Sequence, residues 1–336
     1  MIEKSLKIPR WGIVGLGKIA RHFIHDLQLV ETAKIGAVAS RTLTKAKAFA
    51  AEYGVEKAYG SYADLFADPE IDIVYIATPH NSHAEISIQA MKAGKHVLCE
   101  KPMGLNQKEV AKIVAIAKKN QVFLMEAFWA RFNPSIQSVF ELVKNGAIGE
   151  VNYVNVDFTY YREDAPDSRM LNMNLGGGSL MDMGVYPCFL AYLILGKPDE
   201  ILAAARFHET GADIQTSAIF KYKKGMANVM SGFASESDMV AKIYGTKGRI
   251  YLNRTWHESE SYTIEMGNKK DGNYDSKTIN LPTKGKGYTY EILECIDCIQ
   301  NGQLESKRWS HQNSLDLSGI TDEIRQQIGL KYPMEQ

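Results

Sequence analysis

Three groups of residues in this 336-residue chain have types and spacings that could do chemistry. Lys101 stands in Cys99-Glu100-Lys101-Pro102, directly after a short β-branched run. A lysine at the carboxyl end of a parallel strand can steady a substrate oxygen or exchange its proton, and partial burial lowers an ammonium pKa toward working pH. The plainer role is an ion pair with a neighbouring carboxylate. Asp182 and Tyr186 lie four residues apart, so on a helix a carboxylate and a phenol share one face. Such a patch could orient a hydroxyl-bearing substrate and move its proton.

The third group is a nucleotide signature. Residues Trp11-Gly12-Ile13-Val14-Gly15-Leu16-Gly17-Lys18-Ile19-Ala20 read as strand, glycine turn and helix start, with Ala20 in the last small position of GxGxxG/A. Gly15 permits the turn, Gly17 lets backbone approach a pyrophosphate, and Ala20 lets the helix pack on the sheet. The helix start at Lys18 and Ile19 offers N–H donors and a positive dipole end. About twenty residues on, NAD sites carry an acidic side chain for the ribose hydroxyls. Here Ala39-Ser40-Arg41-Thr42 stands instead. Without a carboxylate to repel it, a 2′-phosphate would find the Arg41 guanidinium and the Ser40 hydroxyl, which favours NADP over NAD. The alternative is that Ser40 only caps the following helix and Arg41 is solvated.

Placing these groups takes two domains, since the length exceeds what one hydrophobic core supports. Residues 1–125 alternate short β-branched runs with amphipathic stretches, the pattern of an α/β Rossmann domain with a doubly wound parallel sheet. Strands are expected at 11–14, 34–39, 71–77, 96–100 and 122–126. Ile19, Phe23, Ile24 and Leu27 recur at helical spacing, and a helix over 81–93 stops at Gly94. Asn106 and Glu109 form a cap with its reciprocal partner for a helix reaching about Lys119. Residues 126–336 read as an α+β domain with an open, mainly antiparallel sheet. After a helix at 134–145, Val154, Val156, Phe158 and Tyr160 share one strand face. Further strands are expected at 201–207, 214–222, 226–233, 239–244 and 249–252. A helix over 178–195 would cover one face of that sheet, and a second copy of the chain could cover the other. A homodimer is therefore expected, with the C-terminal helices packing back on the first domain.

Two further segments carry chemistry, and with them the chain resembles a known family. Thr78-Pro79-His80-Asn81-Ser82-His83 and Cys99-Glu100-Lys101-Pro102 look like motifs of the Gfo/Idh/MocA oxidoreductases. Glu126-Ala127-Phe128-Trp129-Ala130-Arg131-Phe132 and the run from Gly176 through Asp182 to Tyr186 and Pro187 are similar to the branch holding dimeric dihydrodiol dehydrogenase and NADP-dependent D-xylose dehydrogenase. The resemblance implies that Lys101 is catalytic and that Thr78, Pro79, Asn81, His83 and Glu100 join Lys101 beside the cofactor. The family more widely has histidine where Tyr186 stands; the similar branch uses the tyrosine as proton donor or acceptor. That role passes to Tyr186, with Lys101 lowering its pKa and Asp182 orienting substrate hydroxyls. Trp129, Arg131 and Phe158 line the pocket or, on the plainer reading, serve as core or interface residues. Gly176, Gly177 and Gly178 are expected to let backbone pass close to the nicotinamide or the facing domain.

Bulk properties narrow the partners. Lys plus Arg and Asp plus Glu are both 39, so no net field favours nucleic acid or an anionic membrane, and a small molecule fits better. The N-terminus lacks a signal-peptide plan and no apolar run approaches a membrane span, so a cytoplasmic protein is expected. Four cysteines suit a reduced chain. Neither Cys295 with Cys298 nor His80 with His83 has the further ligands a metal site needs, and no metal is expected. The function that follows is hydride transfer between NADP(H) and a hydroxyl or carbonyl carbon of a sugar or cyclic diol. Two alternatives stand beside it: a carbonyl or anhydrosugar reductase, and a dinucleotide-binding ligand sensor without turnover.

Overall fold

The structure, a computed structural model, describes residues 8–267 and 274–335; residues 1–7 of the N-terminal stretch read above lie outside them. It forms two compact units, Met1–Trp129 with Lys284–Leu315, and Ala130–Thr283 with Asp316–Gln336.

In the first unit, β1 (Arg10–Val14), α1 (Lys18–Leu27), β2 (Lys34–Ala39), α2 (Leu43–Tyr53), β3 (Lys57–Tyr59), α3 (Tyr62–Ala67), β4 (Ile73–Ile76), α4 (His83–Lys92), β5 (His96–Glu100), α5 (Gln107–Asn120) and β6 (Leu124–Ala127) alternate. The six strands lie in the order β3-β2-β1-β4-β5-β6, every pair parallel. The order reverses between β1 and β4, the place where such sheets open a ligand crevice. All four residues of β4 are buried, as a central strand covered by helices on both faces requires. Asn106 caps α5 by accepting from Glu109 N–H at 2.9 Å, while the Glu109 carboxylate reaches back to Leu105 N–H. Strand β3 escaped the sequence reading because it has three half-buried residues and no period to detect. Strand β6 begins at Leu124 rather than at 122.

The returning segment is tied to α1 by one buried carboxylate. Asp26, fully buried, accepts the N–H groups of Lys286 and Tyr288 at 2.8 and 2.9 Å and sits 2.9 Å from His25 Nδ1. A buried charge is tolerable only when so satisfied. Above it Phe23 stacks on Tyr75 with ring centroids 3.6 Å apart. Two further helices, Thr289–Gln300 and His311–Ile328, close the chain.

The second unit holds α6 (Pro134–Lys144), β7 (Val151–Thr159), α7 (Val185–Leu195), β8 (Glu200–Phe207), β9 (Asp213–Tyr222), β10 (Gly225–Gly232), β11 (Ala241–Gly245), β12 (Gly248–Leu252), β13 (Ser261–Met266) and β14 (Asp275–Asn280). Its eight strands run β14-β13-β12-β11-β7-β10-β9-β8. All neighbours are antiparallel except β7 and β10, which pair parallel. The last two strands were not read from the sequence: β14 is exposed almost throughout, so neither of its faces carries an apolar signal.

Helix α7 packs on β7 and β10, covering the face that bears Val154, Val156, Ala227 and Val229. One expectation fails here. By length and composition Met173–Leu195 is apolar enough to cross a membrane, yet 72% of its apolar window is buried, as befits a core helix. The helical segment also opens unusually, with a π-helical turn at Leu180–Gly184 before α7.

Candidate active site

In the first unit the crevice is built from strand ends. Gly15 has φ +87°, and a Cβ there would lie 2.5 Å from the Ala77 carbonyl carbon, so only glycine lets β1 turn beside β4. Gly17 is different: its φ is −94° and a Cβ would meet nothing within 4 Å. The space over Gly17 is open, and α1 begins immediately beyond it with no side-chain cap on its N–H groups. Lys18 is exposed and Ile19 half-buried, while Ala20 is fully buried against the sheet.

At the end of β2, Ser40 is buried and donates its N–H to Tyr59 O, and Arg41 is exposed, its charge felt by the Tyr62 phenol. The cap position of α2 is Thr42, so Ser40 is not the helix cap.

Past β4, the Ser82 hydroxyl donates to Pro79 O at 2.8 Å and lies 2.9 Å from Thr78 Oγ1, whose hydroxyl can donate to it in turn. Pro79 and Asn81 are exposed. His83 is fully buried, with Nε2 2.7 Å from Thr78 O and Nδ1 2.8 Å from Pro102 O. A neutral ring can donate to only one of these carbonyls; the imidazolium donates to both. Either way His83 joins the loop after β4 to the turn after β5. No group of His, Cys, Asp and Glu suited to a metal ion occurs among the described residues.

Lys101 is half-exposed at the end of β5, and its bond to Pro102 is cis. Two buried carboxylates, neither of which the sequence marked as structural, flank this turn. Glu100 accepts from Tyr75 Oη at 2.5 Å and from Lys101 N–H at 3.2 Å. Burial pushes its carboxyl up to about 7, with the Lys101 charge opposing that rise. Glu126 accepts from Met103 N–H, the Ser314 hydroxyl and Trp309 Nε1, and burial raises it as well. Trp129 is 5% exposed, its ring 5.3 Å from that of Tyr288 and against Gly287.

In the second unit Asp182 lies on the π-helical turn, its carboxylate 2.7 Å from Arg169 Nη2. The four-residue count to Tyr186 therefore runs through a wider turn than the α-helix assumed. Tyr186, in the first turn of α7, is 6% exposed; its ring lies 5.5 Å from Phe158 and 5.4 Å from His257. Phe158 and His257 stack at 4.1 Å. The fold thus joins two predicted residues, Tyr186 and Phe158, and adds His257, which stands in a short turn with no periodicity to betray it. Arg131 is buried with its guanidinium 4.9 Å over the Phe140 ring.

Two glycines of the run are tightly packed within this unit. A Cβ at Gly177 would lie 2.8 Å from Met170 O, and one at Gly178, where φ is +118°, 2.2 Å from Asp213 Oδ1. The close approaches that demand glycine are made inside this unit, to its own loop and to β9.

Residues 9–128 match the family described as oxidoreductase family, NAD-binding Rossmann fold, and residues 136–251 match the GFO/IDH/MocA C-terminal domain. The chain belongs to the Gfo/Idh/MocA oxidoreductases. Within that family it is 34% identical over 330 residues to the trans-1,2-dihydrobenzene-1,2-diol dehydrogenase of Xenopus tropicalis, covering 96% of this chain and 99% of the relative. The Homo sapiens enzyme of the same name is 32% identical, over 97% and 98% of the two chains. A solved structure, a 3-ketoreductase from Actinomadura kijaniata in complex with NADP and TDP-benzene, superposes with a TM-score of 0.85 at 26% identity, covering 95% of this chain and 98% of that one.

The raised Glu100 carboxyl gives a pH dependence with a definite sign. Its contribution to stability is fully present below about pH 4, where the unfolded chain is also protonated, and is lost as pH rises through about 7. Urea unfolding at pH 5 and pH 8 should show wild type losing on the order of 2–3 kcal/mol more than Glu100→Gln across that interval. Equal losses would mean the buried group titrates normally.

Proposed function

We propose that this chain transfers a hydride between NADP(H) and a hydroxyl or carbonyl carbon of a sugar or cyclic diol. The observation that carries the reading is Tyr186, nearly buried with its ring against Phe158 and His257, one helical turn beyond an ion-paired Asp182. The relatives named as diol dehydrogenases and the NADP-bound ketoreductase support it.

The residues present fit a dinucleotide. The open space over Gly17, the uncapped start of α1 at Lys18 and Ile19, and the tight Gly15 turn form a cradle for a pyrophosphate. Exposed Arg41 and the Ser40 hydroxyl are the donors for a 2′-phosphate. Thr78, Pro79, Asn81, His83 and Glu100 are assigned to the nicotinamide end. When bound, the cofactor's nicotinamide accepts or supplies the hydride.

In the oxidising direction Tyr186 Oη takes the proton of the substrate hydroxyl, and in reduction it returns it. The Lys101 ammonium steadies the substrate oxygen. Asp182, held by Arg169, orients neighbouring hydroxyls. Phe158, with Trp129 and Arg131, is assigned to the substrate walls, since an aromatic face stacks on a ring. Cytoplasmic residence is supported by four buried thiols without disulfides and is checked by cell fractionation.

The test is a 340 nm assay of NADP and NAD against aldoses, anhydrosugars, cyclic diols including trans-1,2-dihydrobenzene-1,2-diol, and dicarbonyls. An NADP-linked signal is expected, with Lys101→Met and Tyr186→Phe each lowering turnover about 100-fold or more while NADP still binds. Full activity in Tyr186→Phe would remove the tyrosine from the chemistry, and silence with every substrate despite tight NADP binding would favour a sensor.

Two substitutions separate cofactor binding from folding. Gly17→Ala should leave the melting temperature unchanged, since its Cβ meets no atom, yet weaken NADP binding at least about tenfold by intruding on the cradle. Arg41→Ala should weaken NADP far more than NAD; equal weakening would show that Arg41 does not read the phosphate.

A homodimer through the second sheet accompanies this reading. Its uncovered face carries exposed Leu202 and Ile219, directly paired across β8 and β9, with Met226 on β10 beside them. Sedimentation at twice the chain mass, shifted toward the monomer by Ile219→Asp, is the expected result; a monomeric wild type would refute it.

A further inference from the structure

We propose that Asp213 is a positioning residue for Tyr186, fixing from β9 the π-helical turn that leads into α7. The inference rests on the reading of Tyr186 as the proton-transfer group. Asp213 opens β9 and is fully buried. Its Oδ2 accepts the Leu180 N–H at 2.8 Å, the Ser179 hydroxyl at 2.7 Å and the Thr216 hydroxyl at 2.7 Å. Its Oδ1 has no hydrogen-bond partner among the described residues and presses on Gly178, where a Cβ would lie 2.2 Å away. One carboxylate therefore indexes three consecutive residues, 178 to 180, immediately before the turn at Leu180–Gly184.

The far end of the turn is held from the neighbouring strand. Gly184 seats on Ser231 of β10, which would lie 2.8 Å from a Cβ, and Ser231 Oγ is 3.1 Å from Ser179 Oγ. The π-turn, an uncommon geometry, is thus clamped at both ends by one buried polar cluster, and Tyr186 follows two residues later. Ser179 stands at the cap position without capping the turn itself, so the cap comes from Asp213. An asparagine could place its amide oxygen where Oδ2 stands; the carboxylate adds the charge that strengthens all three bonds and complements the positive helix end. The other groups around it are Asp182 with its partner Arg169, and Tyr332, which senses Asp213, Arg325, Glu335 and Asp182 and donates to Gly177 O at 3.0 Å.

The experiment compares wild type, Asp213→Asn and Tyr186→Phe with NADP and trans-1,2-dihydrobenzene-1,2-diol or D-xylose, whichever turns over faster. Burial holds the Asp213 carboxyl at about 6, so wild-type kcat should fall as pH drops through that value and the anion is lost. Asp213→Asn should fold and bind NADP normally, lower kcat about 10- to 100-fold with little change in KM, and lack that acid limb. A folded Asp213→Asn with wild-type kcat and an unchanged pH profile overturns the inference. Should Asp213→Asn fail to fold, Ser179→Ala removes one donor and keeps the charge: the acid limb should move to higher pH, and an unmoved limb overturns the proposal. Wild-type kcat in Tyr186→Phe would instead strike the underlying reading, whereas an inactive Tyr186→Phe beside a normal Asp213→Asn strikes only the positioning role.

Discussion

The constraint on which the first unit depends is the parallel ladder. A parallel strand cannot be followed by a tight hairpin; each must be joined to the next by a crossover, and crossovers in one sheet share one hand. Every strand consequently ends at the same edge, and there stand the Gly15 turn, Ser40 and Arg41, the loop from Thr78 to His83, and the Glu100-Lys101-Pro102 turn. The chemistry gathers at that edge because backbone hydrogen bonding leaves it no alternative. The side chains then add the finer registration, His83 tying two of the loops through their carbonyls.

Buried carboxylates are the second recurring device. Asp26 holds the returning segment, Glu100 and Glu126 hold the turn bearing Lys101, and Asp213 holds the start of the π-helical turn. Each is expensive to desolvate and each is offset by donors brought from distant parts of its own unit. A charged acceptor locks backbone N–H groups more tightly than a neutral one, which suits positions whose orientation matters.

The motifs that were legible in the sequence share a short range. Gly15 to Ala20, the Asn106–Glu109 cap and the alternation along β7 are each complete within a few residues, and the structure reproduces them closely. Strands β3 and β14 were not visible because their residues lack a one-sided apolar pattern, whereas β13 carries a short alternation of Tyr262, Ile264 and Met266. The length and apolar composition of Met173–Leu195 would suit a membrane span as well as a core, and only the burial of that helix settles its place.

The chain by itself determined the alternation of strands and helices in the first unit, the glycine turn, the absence of an acidic residue where NAD sites keep one, and the positions of Lys101, Asp182 and Tyr186, because local backbone preferences and residue chemistry fix these without reference to distant partners. Only the tertiary structure decided that Tyr186 packs with Phe158 and His257, that the glycines at 177 and 178 make room for Met170 and Asp213, and which carboxylates are stripped of water. Those outcomes depend on residues tens of positions apart being brought within a few ångströms, and burial, which sets their energies, belongs to the packed molecule rather than to any segment of it.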